Sequence, residues 1–427
     1  MRIIPKMGVP LVALALALAG CGQSQDPAAD PTTSSPVVSP SHDEHDEHDH
    51  DEHDHESSDG KTQEVGARAP RLALTHSAGV MVVDAEKLTV ISDIPLEGFL
   101  RLRPTGDARY PLVDVAGTSL KTLDLGSWTE AHGDHGHSKI TEPSLTGTSL
   151  TTQKAGHVST NAGLTAIFDD GDGSIEVFET KELAHADATP VRTLTVAPHH
   201  GNAIPLADGK LLHTTVSGEV VNGIRILDAE DKVLAESAEC PGLHGSAIAK
   251  DAIVIGCQDG ALVVKGETIT KVKAGPAFAR IGNLFGSTDS PYVLGDYKQS
   301  ADAKPTQVAI INTTDASIST VDLPAAYTFR GLAFTDEGQA LVLTNDGQLH
   351  VIEADHGHIH ASIKVLDPFT EPDDWQQPRP TIHAQGHWVY VTDPANKKVH
   401  AVELSVAKVM ATGELPQAPN EVAGTLG

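Results

Sequence analysis

The sequence predicts an all-β fold, a β-propeller of four-stranded blades, from about residue 71 onward. Short apolar runs alternate there with turn signals such as DDGDG, LADGK, CQDG and TNDG, and no long window has helical periodicity. A recurring pair of strands and a turn returns at intervals of roughly 40 to 50 residues, which is typical of propeller blades. The two ends of this region also resemble complementary parts of one blade.

The repeats predict how many blades there are. Five segments follow the same plan: 156–179, 200–215, 244–264, 330–354 and 383–404. Weaker copies start at Phe99 and Phe278. Residues 71–95 resemble the outer three strands of a blade, and the C-terminal APNEVAGTLG resembles its inner strand. Joining these ends closes the ring and leaves no edge strand exposed. The count is eight blades; seven remains open because two copies are weak.

The N-terminal residues 1–20 predict a lipoprotein signal peptide. Arg2 and Lys6 precede an apolar stretch at residues 8–19, which is too short to span a membrane permanently. The stretch ends in LAGC, which resembles the motif whose cysteine, here Cys21, is lipidated. We therefore expect an exported protein anchored by lipid to the outer face of the cell membrane, in the periplasm or at the cell surface. The alternative is an ordinary secretory signal with a chance cysteine.

Two polar segments separate this signal from the predicted propeller domain, residues 61–427. Residues 21–41 are rich in Pro, Ser and Thr, which predicts a flexible tether. Residues 42–60 are acidic and predict a disordered segment that collects metal ions weakly, unless it is only a charged spacer. Its histidines are His42, His45, His48, His50, His53 and His55. The net charge of −28 argues against a nucleic-acid partner and favours cations.

Two cysteines lie within the predicted propeller. Cys240 and Cys257 both flank short β-like runs. An oxidising compartment permits them to form a disulfide between neighbouring strands. Two buried thiols are the alternative.

Histidines dominate the predicted starts of the inner strands, which line the central channel of a propeller. The aligned positions are Phe99, His157, His200, His244, Phe278, Arg330, His383 and Asn420. Three of these histidines come from consecutive blades, so we predict that His157, His200 and His244 bind Zn²⁺, which favours four tetrahedral N, S or O ligands. The alternative is a set of ordinary polar residues in a wet channel.

A fourth zinc ligand has several candidates in the sequence. His383 is one, although it comes from across the ring, and His199 is either a supporting group or a substitute for His200. The carboxylates expected at the same mouth are Asp169, Asp170, Asp172, Glu371, Asp373 and Asp374.

Two further histidine clusters interrupt blades two and seven. The first consists of His132, His135 and His137, in a segment predicted to be a mobile loop; the second lies at residues 355–360. The strand order places both on the face opposite the predicted ring. They are separate, weaker metal sites unless they are simply hydrophilic turns.

Several of these motifs resemble one known family. The chain is similar to the AztD-type zinc metallochaperones in HGDHGH (132–137), GHVST (156–160), HHGNAIPLADG (199–209), CPGLHGSA (240–247), GCQDG (256–260) and QPRPTIHAQGHWVYVTDP (377–394). The resemblance runs from about residue 71 to the end. It implies an extracytoplasmic propeller that passes Zn(II) to the solute-binding protein of a zinc ABC importer. The apparent lipid anchor and the long acidic histidine tail depart from the family.

We therefore expect a monomeric zinc metallochaperone that is not an enzyme. Two alternatives stay open: a metal-dependent hydrolase or lyase, and a propeller that binds partners without metal. The first lacks HExxH, a nucleophile triad and any cofactor fingerprint. The sequence leaves the metal itself open, because Cu²⁺ and Ni²⁺ also bind imidazole.

Overall fold

The computed structural model describes residues 62–133 and 135–427. The predicted signal peptide, Cys21, the tether and the histidine-rich tail lie outside the described residues. Within the described part, no helix has the length and apolar character needed to cross a membrane. Apart from short 3₁₀ helices at Thr180–Ala184 and Ala207–Gly209, its regular elements are strands.

The strands follow one another closely along the chain. The first half comprises β1 Gln63–Val65, β2 Arg71–His76, β3 Gly79–Asp84, β4 Val90–Pro95, β5 Leu100–Arg103, β6 Leu112–Val115, β7 Ser119–Asp124, β8 Ser127–His132, β9 His135–Ile140, β10 Ser144–Thr151, β11 Ala155–Asn161, β12 Leu164–Asp169, β13 Ser174–Glu179, β14 Arg192–Thr195, β15 Ala203–Pro205, β16 Leu211–Ser217, β17 Val220–Leu227 and β18 Val233–Ser237. The second half comprises β19 Ser246–Ala249, β20 Ala252–Cys257, β21 Gly260–Lys265, β22 Thr268–Lys273, β23 Leu284–Gly286, β24 Tyr292–Tyr297, β25 Gln307–Asn312, β26 Ser317–Asp322, β27 Tyr327–Phe334, β28 Gln339–Thr344, β29 Gln348–Glu353, β30 His358–Lys364, β31 Ile382–Gln385, β32 Trp388–Asp393, β33 Lys398–Glu403, β34 Lys408–Glu414 and β35 Val422–Thr425.

The described residues form eight four-stranded antiparallel sheets, which are the blades of a propeller. Blade one is β35–β2–β3–β4 and blade two is β5–β6–β7–β10, each named from the inner strand outward. Blades three to eight are runs of four consecutive strands that start at β11, β15, β19, β23, β27 and β31. The fold prediction is confirmed, and the blade count is the eight that the repeats predicted.

Apolar clusters hold each blade against the next. The middle strands are buried on both faces, as in β20, whose sequence AIVIGC has no exposed position, so each blade can contact two neighbours. One buried cluster, for example, joins Leu212 and Ile226 of blade four to Ile255 and Leu262 of blade five. Outer strands alternate partly buried and exposed residues because only one of their faces meets another blade.

The ring is closed by pairing the two ends of the described chain. Strand β35 pairs antiparallel with β2, so the last strand becomes the inner strand of the first blade. Just before β35, the Glu421 backbone N–H donates to the Thr75 hydroxyl, and the Thr75 N–H donates to the Glu421 carbonyl. This closure is the joining of ends that the sequence predicted.

A small extra sheet projects from blade two. Strands β8 and β9 form a hairpin between the two outer strands of that blade, and β1 pairs with β9. The segment predicted to be a mobile loop is therefore ordered strand. The sequence of this hairpin shows no apolar alternation, because backbone pairing and contacts outside an apolar core hold it in place. One such contact is Arg109 stacked over Trp128, at 3.5 Å from the ring centroid.

The predicted disulfide between Cys240 and Cys257 is confirmed. Both sulfur-bearing residues are fully buried in the cluster between blades four and five. Replacing both by alanine is expected to lower the free energy of unfolding by about 3 kcal/mol, because the bond restricts an unfolded loop of this length. Urea unfolding measures the loss, and the reduced wild-type protein should lose a similar amount. An unchanged midpoint in both samples would show that the bond contributes no stability.

Candidate metal centre

Three histidines meet at one end of the propeller channel. His157 lies near the start of β11, while His200 and His244 lie in the segments that lead into β15 and β19. These are the inner strands of three consecutive blades, and inner strands of a propeller run in the same direction. The three side chains therefore reach the same mouth, together with the turn that follows β12.

Glycines beside these histidines let the backbones approach closely. A Cβ on Gly156 would lie 2.2 Å from Oδ1 of Asp170, and a Cβ on Gly201 would lie 2.3 Å from the Phe168 ring. The pairing of β11 with β12 shifts register between Ala155 and Val158, which is a local irregularity of the kind that re-aims a side chain. Close packing and this irregularity together bring His157 toward its neighbours.

Two of the imidazole nitrogens are spaced as a tetrahedral zinc ion requires, and the third lies close to them. Nε2 of His157 lies 3.3 Å from Nε2 of His200, and the ligand atoms of all three histidines lie within 4.8 Å of one another. Zinc-to-nitrogen bonds of about 2.0–2.1 Å at tetrahedral angles separate two nitrogens by about 3.3–3.4 Å. The ligand atom of His244 lies within 4.8 Å of the other two.

Hydrogen bonds orient two of the three rings. Nδ1 of His200 donates to Oδ2 of Asp170 at 2.6 Å, and Nδ1 of His244 donates to the Gly282 carbonyl at 2.9 Å. A carboxylate and a carbonyl only accept, so each neutral ring carries its proton on Nδ1. Each Nε2 then presents a lone pair toward the shared space, as in most histidine metal ligands.

Burial keeps the imidazoles of His157 and His244 in the metal-binding form. Desolvation lowers the pKa of His157 well below its usual value, and the nearby His200, His244, Arg103 and Arg101 lower it further. Desolvation also lowers the pKa of His244. Both rings are therefore neutral at pH 7, and a metal ion would not compete with protons for them.

His199 does not join this cluster. Its Nδ1 bonds to the Ala197 carbonyl at 2.6 Å and its Nε2 bonds to the Thr214 hydroxyl at 2.8 Å, so both ring nitrogens are engaged. The ring also packs against Phe168. His199 braces the segment that carries His200 and has no free nitrogen for a metal.

His383 lies elsewhere in the channel. It sits inside β31, opposite Tyr390, whereas His200 and His244 precede their strands. It lines a cavity shared with Gln385 and the C-terminal residues, and burial lowers its pKa to about 4. The predicted register, in which His383 aligned with the other three, therefore differs from the structure, because residue type alone does not measure depth along a strand.

Four of the carboxylates considered as a fourth ligand have other partners. Asp170 holds His200 and also accepts from the Gly201 N–H. Asp169 accepts from the backbone N–H groups of Gln153, Lys154 and Gly171, and Asp172 accepts from the Ser174 N–H. Glu371 lines the cavity beside the histidines but pairs with Arg379. Asp170 thus orients a candidate ligand, His200, a role that the spacing of the sequence did not reveal.

A second histidine cluster lies on the β8–β9 hairpin. His132, His135 and His137 have ligand atoms within 4.8 Å of one another, and Nδ1 of His137 lies 2.8 Å from Oε1 of Glu64 on β1. The hairpin leaves blade two between its outer strands, so it lies on the opposite face from the first cluster, as predicted. Within the described residues, these two are the groups that meet this spacing.

The third cluster, at residues 355–360, is looser. Both oxygens of Glu353 face histidines, at 3.4 Å from Nε2 of His358 and 3.2 Å from Nδ1 of His360. His356 is paired with Asp355. These side chains are exposed and do not converge as the other two clusters do.

Fold and geometry together define an eight-bladed propeller with a candidate histidine metal centre at one end of its channel. The chain is 27% identical over 314 residues to the zinc chaperone AztD of Citrobacter koseri, which covers 71% of this chain and 73% of that protein. No protein-family model matches. The resemblance to AztD-type proteins that the motifs predicted is therefore confirmed.

Solved structures agree on the fold. A crystal structure of Citrobacter koseri AztD matches with a TM-score of 0.74, and the apo form of that protein matches with a TM-score of 0.73. Both are 24% identical and cover 84% of this chain and 98% of theirs. Dihydro-heme d1 dehydrogenase NirN shares the fold more distantly, with a TM-score of 0.53 at 8% identity, over 82% of this chain and 74% of its own.

Proposed function

We propose that this protein is an extracytoplasmic zinc metallochaperone, which acquires Zn(II) and passes it to the solute-binding protein of a zinc ABC importer. The observation that carries the proposal is the convergence of His157, His200 and His244 at the channel mouth, with ligand atoms within 4.8 Å of one another. The curated relative, a zinc chaperone, supports zinc as the cargo. Its role is binding and transfer, without catalysis.

The arrangement suits an ion that must be held and then released. Three protein ligands leave the fourth tetrahedral position open. The side chain of His200 is 47% exposed, so an acceptor protein can approach the ion from the channel mouth. An incoming ligand can then displace one histidine at a time. The hairpin cluster of His132, His135 and His137 is a second, more exposed binding place that can collect ions.

Export and anchoring complete the proposal. A lipid on Cys21 would hold the protein at the membrane where the importer works, and the histidine-rich residues 42–60 would raise the local concentration of metal ions. A monomer is sufficient, because the ring closes within one chain and the cluster draws all three histidines from it.

Two triple variants of the full chain test this proposal. One replaces His157, His200 and His244 by alanine, and the other replaces His132, His135 and His137. We expect the first to lose one tight equivalent of Zn²⁺ in competition with a chromogenic chelator, and the second to keep it. Both retain the same N-terminal tail, so its weaker binding cancels in the comparison.

Transfer provides the second readout. Zinc-loaded wild-type protein should deliver its tight equivalent to a zinc-specific solute-binding protein even when excess chelator traps free ions. If the tight equivalent survives in the first triple variant, the channel-mouth site is not the carrier. If the ion reaches the acceptor only through the free pool, the protein stores zinc without passing it on.

A further inference from the structure

The cavity above the three histidines is unusually basic for so acidic a protein. The chain carries a net charge of −28, yet this cavity of about 590 Å³ has more basic than acidic side chains among its described lining residues. The basic ones are Arg101, Arg103, Lys154, Arg280 and Lys298, and the acidic ones are Asp170, Asp296 and Glu371. A site shaped only to attract a cation would have the opposite balance.

Each of the three acidic side chains already has a hydrogen-bond or ion-pair partner in the structure. Asp170 holds His200, and Glu371 pairs with Arg379. Asp296 accepts from the backbone N–H and the side-chain amide of Asn283, both at 2.9 Å. None of them is available as a fourth ligand without breaking a bond that shapes the site.

Two of the cations, Arg280 and Lys298, have no side-chain partner among the residues that the structure describes, whereas Lys154 lies 3.9 Å from Asp170. Arg101 and Arg103 pair with Glu421 and Asp114. The side chain of Arg280, in contrast, makes no hydrogen bond or ion pair with any residue that the structure describes. Its guanidinium packs over Gly282, where a Cβ would lie 2.5 Å from Nη1. The carbonyl of Gly282 is the group that orients His244, so Arg280 lies beside the cluster.

Charge balance then points to a missing anion. Three neutral imidazoles leave a bound zinc ion with its full charge of +2, in a cavity where Arg280 and Lys298 have no anionic partner among the described residues. Desolvated like charges repel strongly, so an anion close to the ion would stabilise the complex. A guanidinium binds carboxylate and phosphate oxygens with paired, directed hydrogen bonds.

We infer that zinc binds at this centre together with an oxyanion of the carboxylate class, which supplies the fourth ligand and whose second oxygen is held by Arg280. This inference rests on the proposed function. The carboxylate comes either from a small molecule or from an acidic side chain of the acceptor protein. In both cases the anion is part of the metal site, and its arrival or departure changes how tightly the ion is held.

Cobalt substitution tests the inference, because the visible spectrum of Co²⁺ reports its ligands. The full chain is loaded with Co²⁺, and the absorption that disappears in the His157, His200 and His244 triple variant is assigned to this centre. Sodium acetate is the probe, with sodium perchlorate at equal ionic strength as the control. We expect a saturable spectral change with acetate and none with perchlorate.

Variants of Arg280 test whether its side chain binds the anion. Arg280→Gln should raise the acetate midpoint about tenfold or more, since a charge-assisted hydrogen-bond partner is lost. The acetate midpoint of Arg280→Lys should lie between those of the wild type and Arg280→Gln. Arg225→Gln is the matched control. Arg225 lies on β17 of blade four and pairs with Glu236 on the outer strand, β18, at the protein surface. Replacing Arg280 leaves no described side chain without its partner, so the fold should stay intact; thermal unfolding of the variant checks this.

A second arm separates the two sources of carboxylate. An acceptor protein whose own zinc ligands have been replaced is added instead of acetate. If the Co²⁺ spectrum changes with the acceptor protein but not with acetate, and the change depends on Arg280, the carboxylate comes from the acceptor. A cobalt spectrum indifferent to both additions, or midpoints equal in wild type and Arg280→Gln, would overturn the inference while leaving the metal site intact. If this centre takes up no Co²⁺ at all, the proposed function falls, and the inference falls with it.

Discussion

Replacing His200 by alanine is expected to weaken Zn²⁺ binding at the channel mouth by roughly a hundredfold or more. Loss of a group that only orients a metal ligand typically costs ten- to a hundredfold in affinity, so loss of the ligand itself should cost at least the upper end of that range. The side chain is 47% exposed, so its removal leaves no large buried void. Competition with a calibrated zinc chelator measures the change.

His199 provides the matched control for this variant. It is the same residue type one position earlier, but both its nitrogens are engaged and its ring packs on Phe168. His199→Ala should therefore lower stability and change zinc affinity little. The opposite result, with zinc lost in His199→Ala and retained in His200→Ala, would mean that the neighbouring histidine carries the ion.

Asp170→Asn is expected to weaken Zn²⁺ binding less than His200→Ala does, because it changes only the hydrogen bond that orients His200. Asparagine keeps the shape of the side chain but is a weaker acceptor for Nδ1 of His200, which it contacts at 2.6 Å in the wild type. Zinc affinity should fall by about ten- to a hundredfold. A loss as large as that of His200→Ala would indicate that Asp170 is itself a ligand.

Replacing Glu421 by alanine is expected to lower the free energy of unfolding by about 3–5 kcal/mol. The Glu421 carboxylate accepts from the Leu102 N–H at 2.8 Å, from Nη2 of Arg330 at 2.9 Å and from Nε of Arg101 at 3.1 Å. Burial already lowers the pKa of Arg330 to about 10. Without Glu421, this buried guanidinium loses its charge partner at the point where β35 closes the ring.

Thermal and urea unfolding measure that loss. Glu414→Ala is the control, because Glu414 is an exposed residue on the outer strand of blade eight, where substitutions usually change stability by about 0.5 kcal/mol or less. Equal stability of the two variants would mean that strand pairing alone closes the propeller and that the ion-pair network adds nothing.

Much of the fold was predictable because its signals are local. Alternating strand patterns, turn dipeptides and the blade-length repeat are written within short windows, so eight blades and the joining of residues 71–95 to the C-terminal strand followed from the sequence. The Cys240–Cys257 bond followed from compartment and from neighbouring strands. The hairpin of β8 and β9 was missed, because strands that bury few side chains leave no apolar alternation to detect.

The site was only partly predictable. That His157, His200 and His244 belong to consecutive inner strands could be inferred from the repeat. The position of His383 could not, because a shift of a few residues along a strand moves a side chain to a different depth in the channel without changing the repeat pattern. The orienting role of Asp170 depends on a turn packed against a segment from another blade.

The sequence by itself determined the class of fold, the closure of the ring and the residue types available to bind a metal, and it favoured eight blades while leaving seven open. The tertiary structure decided which of those side chains converge, which ring nitrogens face the shared space and which carboxylates are already used. It also revealed the basic cavity beside the histidines. Strand patterns follow from local chain geometry, whereas distances between blades depend on close packing that no single segment encodes.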